Sequence, residues 1–148
     1  MASEEKKIIQ ILGFSLNDEE YALEIDNVQE IIKPTKATRV PRSKKYILGV
    51  INLRGIVLPI IDLSIRFGIE KTDKASKQRI IILKLDNVTI GIMVDSVSEV
   101  MEIGTDQIFS NPTIDSTINQ EYLKGVCKLG EDRLFTLLNI EKTLEMKV

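Results

Sequence analysis

The strongest constraint on this chain is that it resembles itself. Residues 21–32 (Tyr-Ala-Leu-Glu-Ile-Asp-Asn-Val-Gln-Glu-Ile-Ile) align without gaps on residues 90–101 (Ile-Gly-Ile-Met-Val-Asp-Ser-Val-Ser-Glu-Val-Met). Asp26/Asp95, Val28/Val97 and Glu30/Glu99 are identical, and most other pairs exchange similar apolar residues. Residues 46–53 then align on 122–129, and Ile60-Ile61-Asp62-Leu63 matches Leu137-Leu138-Asn139-Ile140 after one extra residue in the second copy. Three blocks in the same order indicate a duplication with about seventy residues per copy. A lobe of that length is marginal alone, so the two copies must pack together or exchange strands. Two copies are too few for a solenoid.

Within each copy the apolar residues come in short β-branched runs separated by turn residues. Ile8–Leu16, Tyr21–Ile25, Leu48–Leu53, Ile56–Ile61, Ile80–Leu85 and Val88–Val94 read as strands. Asn17-Asp18 and Asp86-Asn87 supply hairpin turns. Asp62 and Asn139 look like N-caps of short helices, and Asp26 and Asp95 read as caps of turns or short helices beginning near Val28 and Val97. The polar stretch 70–79 reads as an exposed connection. The pattern predicts a mostly β protein of two small lobes with a few short helices. One domain spans 7–145, with lobes of about 14–79 and 80–142 if strands are not exchanged, and a crevice between lobes is the natural binding place.

Composition removes most chemistries. The chain has no His and a single Cys, which excludes His-based acid–base work, the usual zinc sites, disulfides and CxxC motifs. Cys127 sits in an apolar phrase and reads as a buried small hydrophobe. A net charge of −2 and only 5% aromatic residues argue against a nucleic-acid partner. No signal peptide or apolar run of spanning length is present, and a lone reduced thiol fits the cytoplasm. Phosphate-binding loops and nucleophile elbows are also missing, so a small enzyme built on a carboxylate pair is the one catalytic alternative left. No metal or cofactor is expected.

Duplication also provides an internal control, because positions the fold requires keep their chemistry in both halves. Gly49/Gly125, Val50/Val126 and Leu53/Leu129 do so, and Leu53 and Leu129 are expected to face equivalent cores. Asn52-Leu53-Arg54-Gly55 does not, since its counterpart is Lys128-Leu129-Gly130-Glu131. Arg54 lies in an apolar stretch that does not ask for a guanidinium. Strand alternation would put Asn52 and Arg54 on one face. Two readings of Arg54 stand side by side: a charged residue at a hairpin end with Gly55 making the turn, or an interaction arginine. Glu30 either shares a structural role with Glu99 or faces the same surface as Arg54 and pairs with it.

The residues Phe14-Ser-Leu, Glu20-Tyr-Ala-Leu-Glu-Ile25, Val28-Gln-Glu-Ile31, Tyr46 through Gly55 with its Asn-Leu-Arg-Gly phrase, and Leu58-Pro-Ile-Ile-Asp-Leu63 closely resemble the CheW family of chemotaxis coupling proteins. The likeness continues through Gly91-Ile-Met-Val-Asp95, Tyr122-Leu-Lys-Gly-Val126 and Leu138-Asn-Ile140, from about Lys7 to Leu144. Lys44 departs from the family, which often carries Pro there. The resemblance implies two SH3-like five-stranded β-barrels, no catalysis and no cofactor. It implies a cytoplasmic adaptor, monomeric when isolated, that ties the tip of methyl-accepting chemoreceptors to the regulatory domain of the histidine kinase CheA, with a receptor helix lying in the groove between lobes. Val28, Glu30 and Arg54 match coupling positions of the family, and Asn52 and Gly55 flank the last of these. The same fold occurs inside CheA and CheV-like proteins. With no further segment after Val148 the expectation is a standalone adaptor, the alternative being an excised regulatory domain of a larger chemotaxis protein.

Overall fold

The computed structural model describes residues 7–69, 75–109, 122–129 and 133–144. Its strands are β1 (Ile8–Leu16), β2 (Glu19–Glu24), β3 (Val28–Ile32), β4 (Ile47–Leu53), β5 (Ile56–Asp62), β6 (Arg79–Leu85), β7 (Val88–Val94), β8 (Ser96–Gly104), β9 (Ile108–Phe109), β10 (Leu123–Leu129) and β11 (Arg133–Leu138). Two short helices follow β5 and β11: α1 (Leu63–Phe67) and α2 (Ile140–Thr143).

The strands form two sheets, and neither sheet belongs to one half of the chain. One has the order β8-β1-β2-β11-β10-β9 and the other β3-β6-β7-β5-β4. The β1–β2 hairpin of the first copy thus completes the sheet of the second, and β6–β7 of the second completes the sheet of the first. Equivalent parallel pairings make each graft: Ile60 lies against Gly91, and its repeat Leu137 lies against Ala22. A contiguous division near residue 79 therefore does not follow the sheets; the copies exchange hairpins.

Their place between a lobe core and the shared core explains the continuous apolar runs of the hairpin strands. A half-buried strand alternates, whereas a strand covered on both faces does not. Ile80 and Ile82 pack with Ile51, Leu58 and Ile60 inside one lobe, while Ile81 and Leu83 point into a core shared by both lobes. On β1, Ile11 packs with Ala22, Phe135 and Leu137 inside the other lobe, and Leu12, Phe14 and Leu16 enter the shared core. Leu53 and Leu129 rest against the two lobe cores, the equivalent environments expected of them. Among the described residues the shared core is the largest of the three clusters, and it draws side chains from both sheets.

Local features repeat as the duplication requires. Asp62 accepts a hydrogen bond from Ile65 N at 3.3 Å to start α1, and Asn139 accepts from Lys142 N at 3.2 Å to start α2. The backbone N–H of each cap residue donates to a tyrosine carbonyl, Asp62 to Tyr46 and Asn139 to Tyr122, both at 2.7 Å. Gly49 and Gly125 sit at matching register shifts with φ of +148° and +156°. A Cβ on Gly49 would lie 2.3 Å from the Thr38 carbonyl oxygen, and one on Gly125 2.7 Å from that of Phe109. Backbone crowding keeps both as glycine.

Two expectations are corrected. No helix begins at Val28 or Val97. A 3-10 turn, Ile25–Asn27, precedes Val28, which opens β3, and Val97 lies within β8. The alternating β-branched sequence at these positions outweighs the capping potential of the preceding aspartates. The sheet containing β8 has six strands rather than five, because β9 pairs with β10; its counterpart in the other lobe is a single bridge between Thr38 and Val50. The stretch 70–79 lies partly outside the described residues, with Ala75–Lys77 forming one 3-10 turn.

A single arginine ties the lobes across the rim of the shared core. The Arg66 guanidinium carbon on α1 lies 4.7 Å from the Tyr46 ring centroid and 5.0 Å from that of Tyr122, two tyrosines related by the duplication. Its Nε donates to the Thr143 carbonyl oxygen at 3.1 Å.

Hairpin exchange makes a prediction about fragments. Cutting the chain between α1 and β6 should give halves that show no cooperative unfolding alone, because each lacks the hairpin that closes its sheet. Mixing the halves should restore a cooperative urea transition. A cooperative transition in either isolated half would show that the exchange is not required for folding.

Candidate functional site

The phrase Asn52-Leu53-Arg54-Gly55 forms the tip of the β4–β5 hairpin. Leu53 pairs with Ile56, leaving Arg54 and Gly55 as a two-residue turn with φ of +50° and +87°. Two left-handed residues in such a loop match the twist of the flanking strands. Asn52 Oδ1 accepts the Gly55 N–H at 2.9 Å and holds the turn shut. Arg54 is therefore not a strand residue sharing a face with Asn52. It is the first turn residue, in a conformation that costs a non-glycine residue about 1 kcal/mol. Gly55 is exposed, with open space where a Cβ would be.

The Arg54 side chain is 65% exposed and pairs with the Glu30 carboxylate on β3. β3 and β4 are opposite edges of the five-stranded sheet, so the pair requires the sheet to curl on itself. Of the two readings for Glu30, the structure shows the pairing with Arg54. Beside the tip, Ile56 and Val57 are exposed at 52% and 65%. Val28 stands apart from this group: its side chain is partly buried against the shared core, as is its repeat Val97.

The second lobe carries a related arrangement that the alignment did not reveal. Arg133, at the start of β11, bonds Glu20 at 2.9 Å and Glu99 at 3.1 Å, and its guanidinium lies 4.8 Å from the Phe135 ring centroid. The hydrogen bonds it donates to Glu20 and then to Glu99 raise its affinity for the proton above an ordinary arginine's. Glu99 is the repeat of Glu30, so both copies use this glutamate to hold an arginine, taken from different hairpin positions. Leu134, in the register position of Val57, is also exposed. Residues 130–132, including the Gly130 and Glu131 counterparts of Arg54 and Gly55, lie outside the described residues. The visible signal was an Arg-Leu pair opening an apolar run; the extra residue ahead of it hid the equivalence.

The remaining candidates serve the fold. Cys127 is fully buried, and desolvation pushes its thiol up to about 11, away from nucleophilic use at neutral pH. Burial, with the nearby Glu19 carboxylate, holds the Tyr21 hydroxyl well above the ordinary phenol range. Asp62 caps α1, and the buried Asp95 accepts the Asn17 N–H at 2.7 Å, steadying the β1–β2 turn. Asp62 and Asp95 thus engage backbone donors, while Glu20, Glu30 and Glu99 engage arginines.

The chain as a whole is similar to known proteins. A family model described as a CheW-like domain matches residues 10–148. The chain belongs to the CheW-like family. It is 38% identical over 135 residues to the chemotaxis protein CheW of Klebsiella aerogenes, covering 91% of this chain and 81% of that protein. It is 36% identical over 141 residues to CheW of Helicobacter pylori, covering 95% and 84%. The solved structure of the scaffolding protein TtCheW from Thermoanaerobacter tengcongensis superposes with a TM-score of 0.86 at 35% identity, covering 95% of this chain and 94% of that one. The two SH3-like lobes expected of a CheW-like chain are thus present, built by exchange.

Burial of Cys127 gives a direct check. In the native protein at pH 8 the thiol should resist a thiol-specific reagent that modifies it rapidly in denaturant. Rapid labelling under native conditions would show an accessible thiolate and reopen the nucleophile reading.

Proposed function

We propose that this protein is a non-catalytic adaptor coupling methyl-accepting chemoreceptors to the histidine kinase CheA in bacterial chemotaxis. The observation that carries the proposal is the β4–β5 hairpin tip on a chain that matches the CheW-like family almost throughout. Arg54 is held out by Glu30 and by a turn locked by Asn52 and Gly55, beside the exposed side chains of Ile56 and Val57. An arginine flanked by apolar surface is a common composition for an interface anchor. Val28 supports the base of β3 from the shared core, so its contribution is to hold the surface rather than to form it.

An adaptor needs at least two faces, and the second lobe supplies Arg133 with Leu134 at its own hairpin as a candidate for the other. A receptor helix docking where the two lobes meet completes the reading. The protein acts in the cytoplasm, reaches the membrane through the receptor it binds, and is monomeric without its partners. Among the described residues no helix is long and apolar enough to cross a membrane.

The test is a separation of two effects in Arg54→Ala. An exposed ion pair contributes only about 0–1 kcal/mol, and replacing the residue leaves a strained turn position strained, so unfolding free energy should fall by less than about 1 kcal/mol. Loss of an interface anchor costs roughly 2 kcal/mol or more, so binding to a CheA regulatory domain or a receptor-tip fragment should weaken at least tenfold. Denaturant curves and binding isotherms on one preparation decide the matter. Normal binding of both partners, or ready unfolding, would make Arg54 a structural residue and remove it from the site.

A further inference from the structure

From Glu30 to Asp62 the chain contains no acidic residue. Residues 31–61 carry Lys33, Lys36, Arg39, Arg42, Lys44, Lys45 and Arg54, in a protein whose net charge is −2. Six of these seven cations fall in the loop between β3 and β4, and all six are exposed. Among the described residues, none of the six takes part in an ion pair or a side-chain hydrogen bond, in contrast to Arg54, Arg66, Arg79 and Arg133. The loop is folded back, with Thr38 and Val50 exchanging backbone hydrogen bonds of 2.8 Å. Arg39, Ser43, Lys44 and Lys45 line a concavity of about 240 Å³ floored by Ile47 and Leu48.

Unpaired like charges on one short loop repel one another, an arrangement that an opposite charge relieves. We propose that this loop is a docking site for a carboxylate-rich segment of a partner protein. Two observations favour that occupant over a lone phosphate. Ser43 spends both its N–H, at 3.3 Å, and its hydroxyl, at 2.7 Å, on the Val40 carbonyl, so it does not offer the converging donors of a phosphate nest. The charges also extend from residue 33 to residue 45, well beyond the reach of one anion in the concavity. A membrane surface is disfavoured because the loop offers no amphipathic helix and its one aromatic, Tyr46, packs against the shared core under Arg66, leaving only Val40 as an exposed large apolar side chain among the cations. The site is distinct from the β4–β5 tip, since β4 separates Lys45 from Arg54 by roughly 20 Å.

The experiment uses the full chain and a fluorescently labelled octaglutamate peptide, with octaglutamine as the uncharged control. Fluorescence anisotropy should show binding of the glutamate peptide alone. The affinity should weaken progressively as salt is raised through the range where the Debye length falls below about 10 Å. The triple variant Arg39→Glu/Lys44→Glu/Lys45→Glu should lose at least about tenfold in affinity, whereas Lys84→Glu, an exposed change on β6, should not. Should the triple variant prove unstable, the neutral set Arg39→Gln/Lys44→Gln/Lys45→Gln reads the same loss. Equal binding by wild type and loop variants would overturn the proposal. So would stronger, competing binding of inorganic phosphate or of vesicles containing phosphatidylserine. Because neither kinase nor receptor enters the assay, its failure leaves the coupling reading untouched.

Discussion

Everything in this structure depends on four strands that are covered on both faces. β1, β2, β6 and β7 each give one row of side chains to a lobe core and the other to the core between lobes. Full burial of an aliphatic or aromatic side chain is worth roughly 1.5–3 kcal/mol. The sixteen buried residues of the shared core therefore represent on the order of 20 kcal/mol or more of gross stabilisation. Net stability is the small remainder, about 5–15 kcal/mol, after conformational entropy opposes such gains, so a layer of this size is not dispensable. Neither lobe can lose this layer and remain folded, so the lobes form one cooperative unit and keep a fixed relation to each other. A connector between two larger proteins gains from that rigidity, because position at one end is preserved at the other.

With the cores settled internally, the surface is free to vary. The hairpin ends show how. Glu30 and Glu99 occupy equivalent positions and each holds an arginine, but Arg54 comes from a tight turn and Arg133 from the first residue of the returning strand. The same electrostatic solution thus presents differently shaped ends, each beside an exposed aliphatic residue, Val57 or Leu134. The two ends thus share a scaffold and differ in shape.

Much of this was legible in the sequence because apolar periodicity and turn chemistry act locally. The runs at Ile80–Leu85 and Val88–Val94 and the caps Asp62 and Asn139 fell where they were expected. The duplication limited the fold to two equivalent lobes and raised the possibility of strand exchange, but could not decide it, since a hairpin covered on both faces has the same continuous apolar sequence whichever lobe it joins. The Val28 and Val97 regions misled because an aspartate can cap a helix or end a turn, and only the neighbouring strand tells which. At the site, the departure of Asn-Leu-Arg-Gly from its repeat singled out Arg54, while Arg133 and Arg66 went unnoticed. Both find their partners only through pairings distant in sequence, Arg133 with Glu20 and Glu99, Arg66 with Tyr46, Tyr122 and Thr143.

Arg66 also carries a record of descent. Continuing the alignment of Asp62 on Asn139 places Arg66 opposite Thr143, so the arginine bonds to the backbone of its own counterpart. Two equivalent positions touch only where the relating axis passes between them. Exchanged hairpins and a core shared across such an axis are the anatomy of a dimer of identical half-length chains. In that dimer an arginine here would meet its twin, two guanidinium groups competing for the same pair of tyrosine rings. In one fused chain a single copy can carry the arginine while the equivalent position holds a small residue, as Arg66 and Thr143 do. Asymmetry of this kind is open to a fused chain and closed to a symmetric dimer of identical halves.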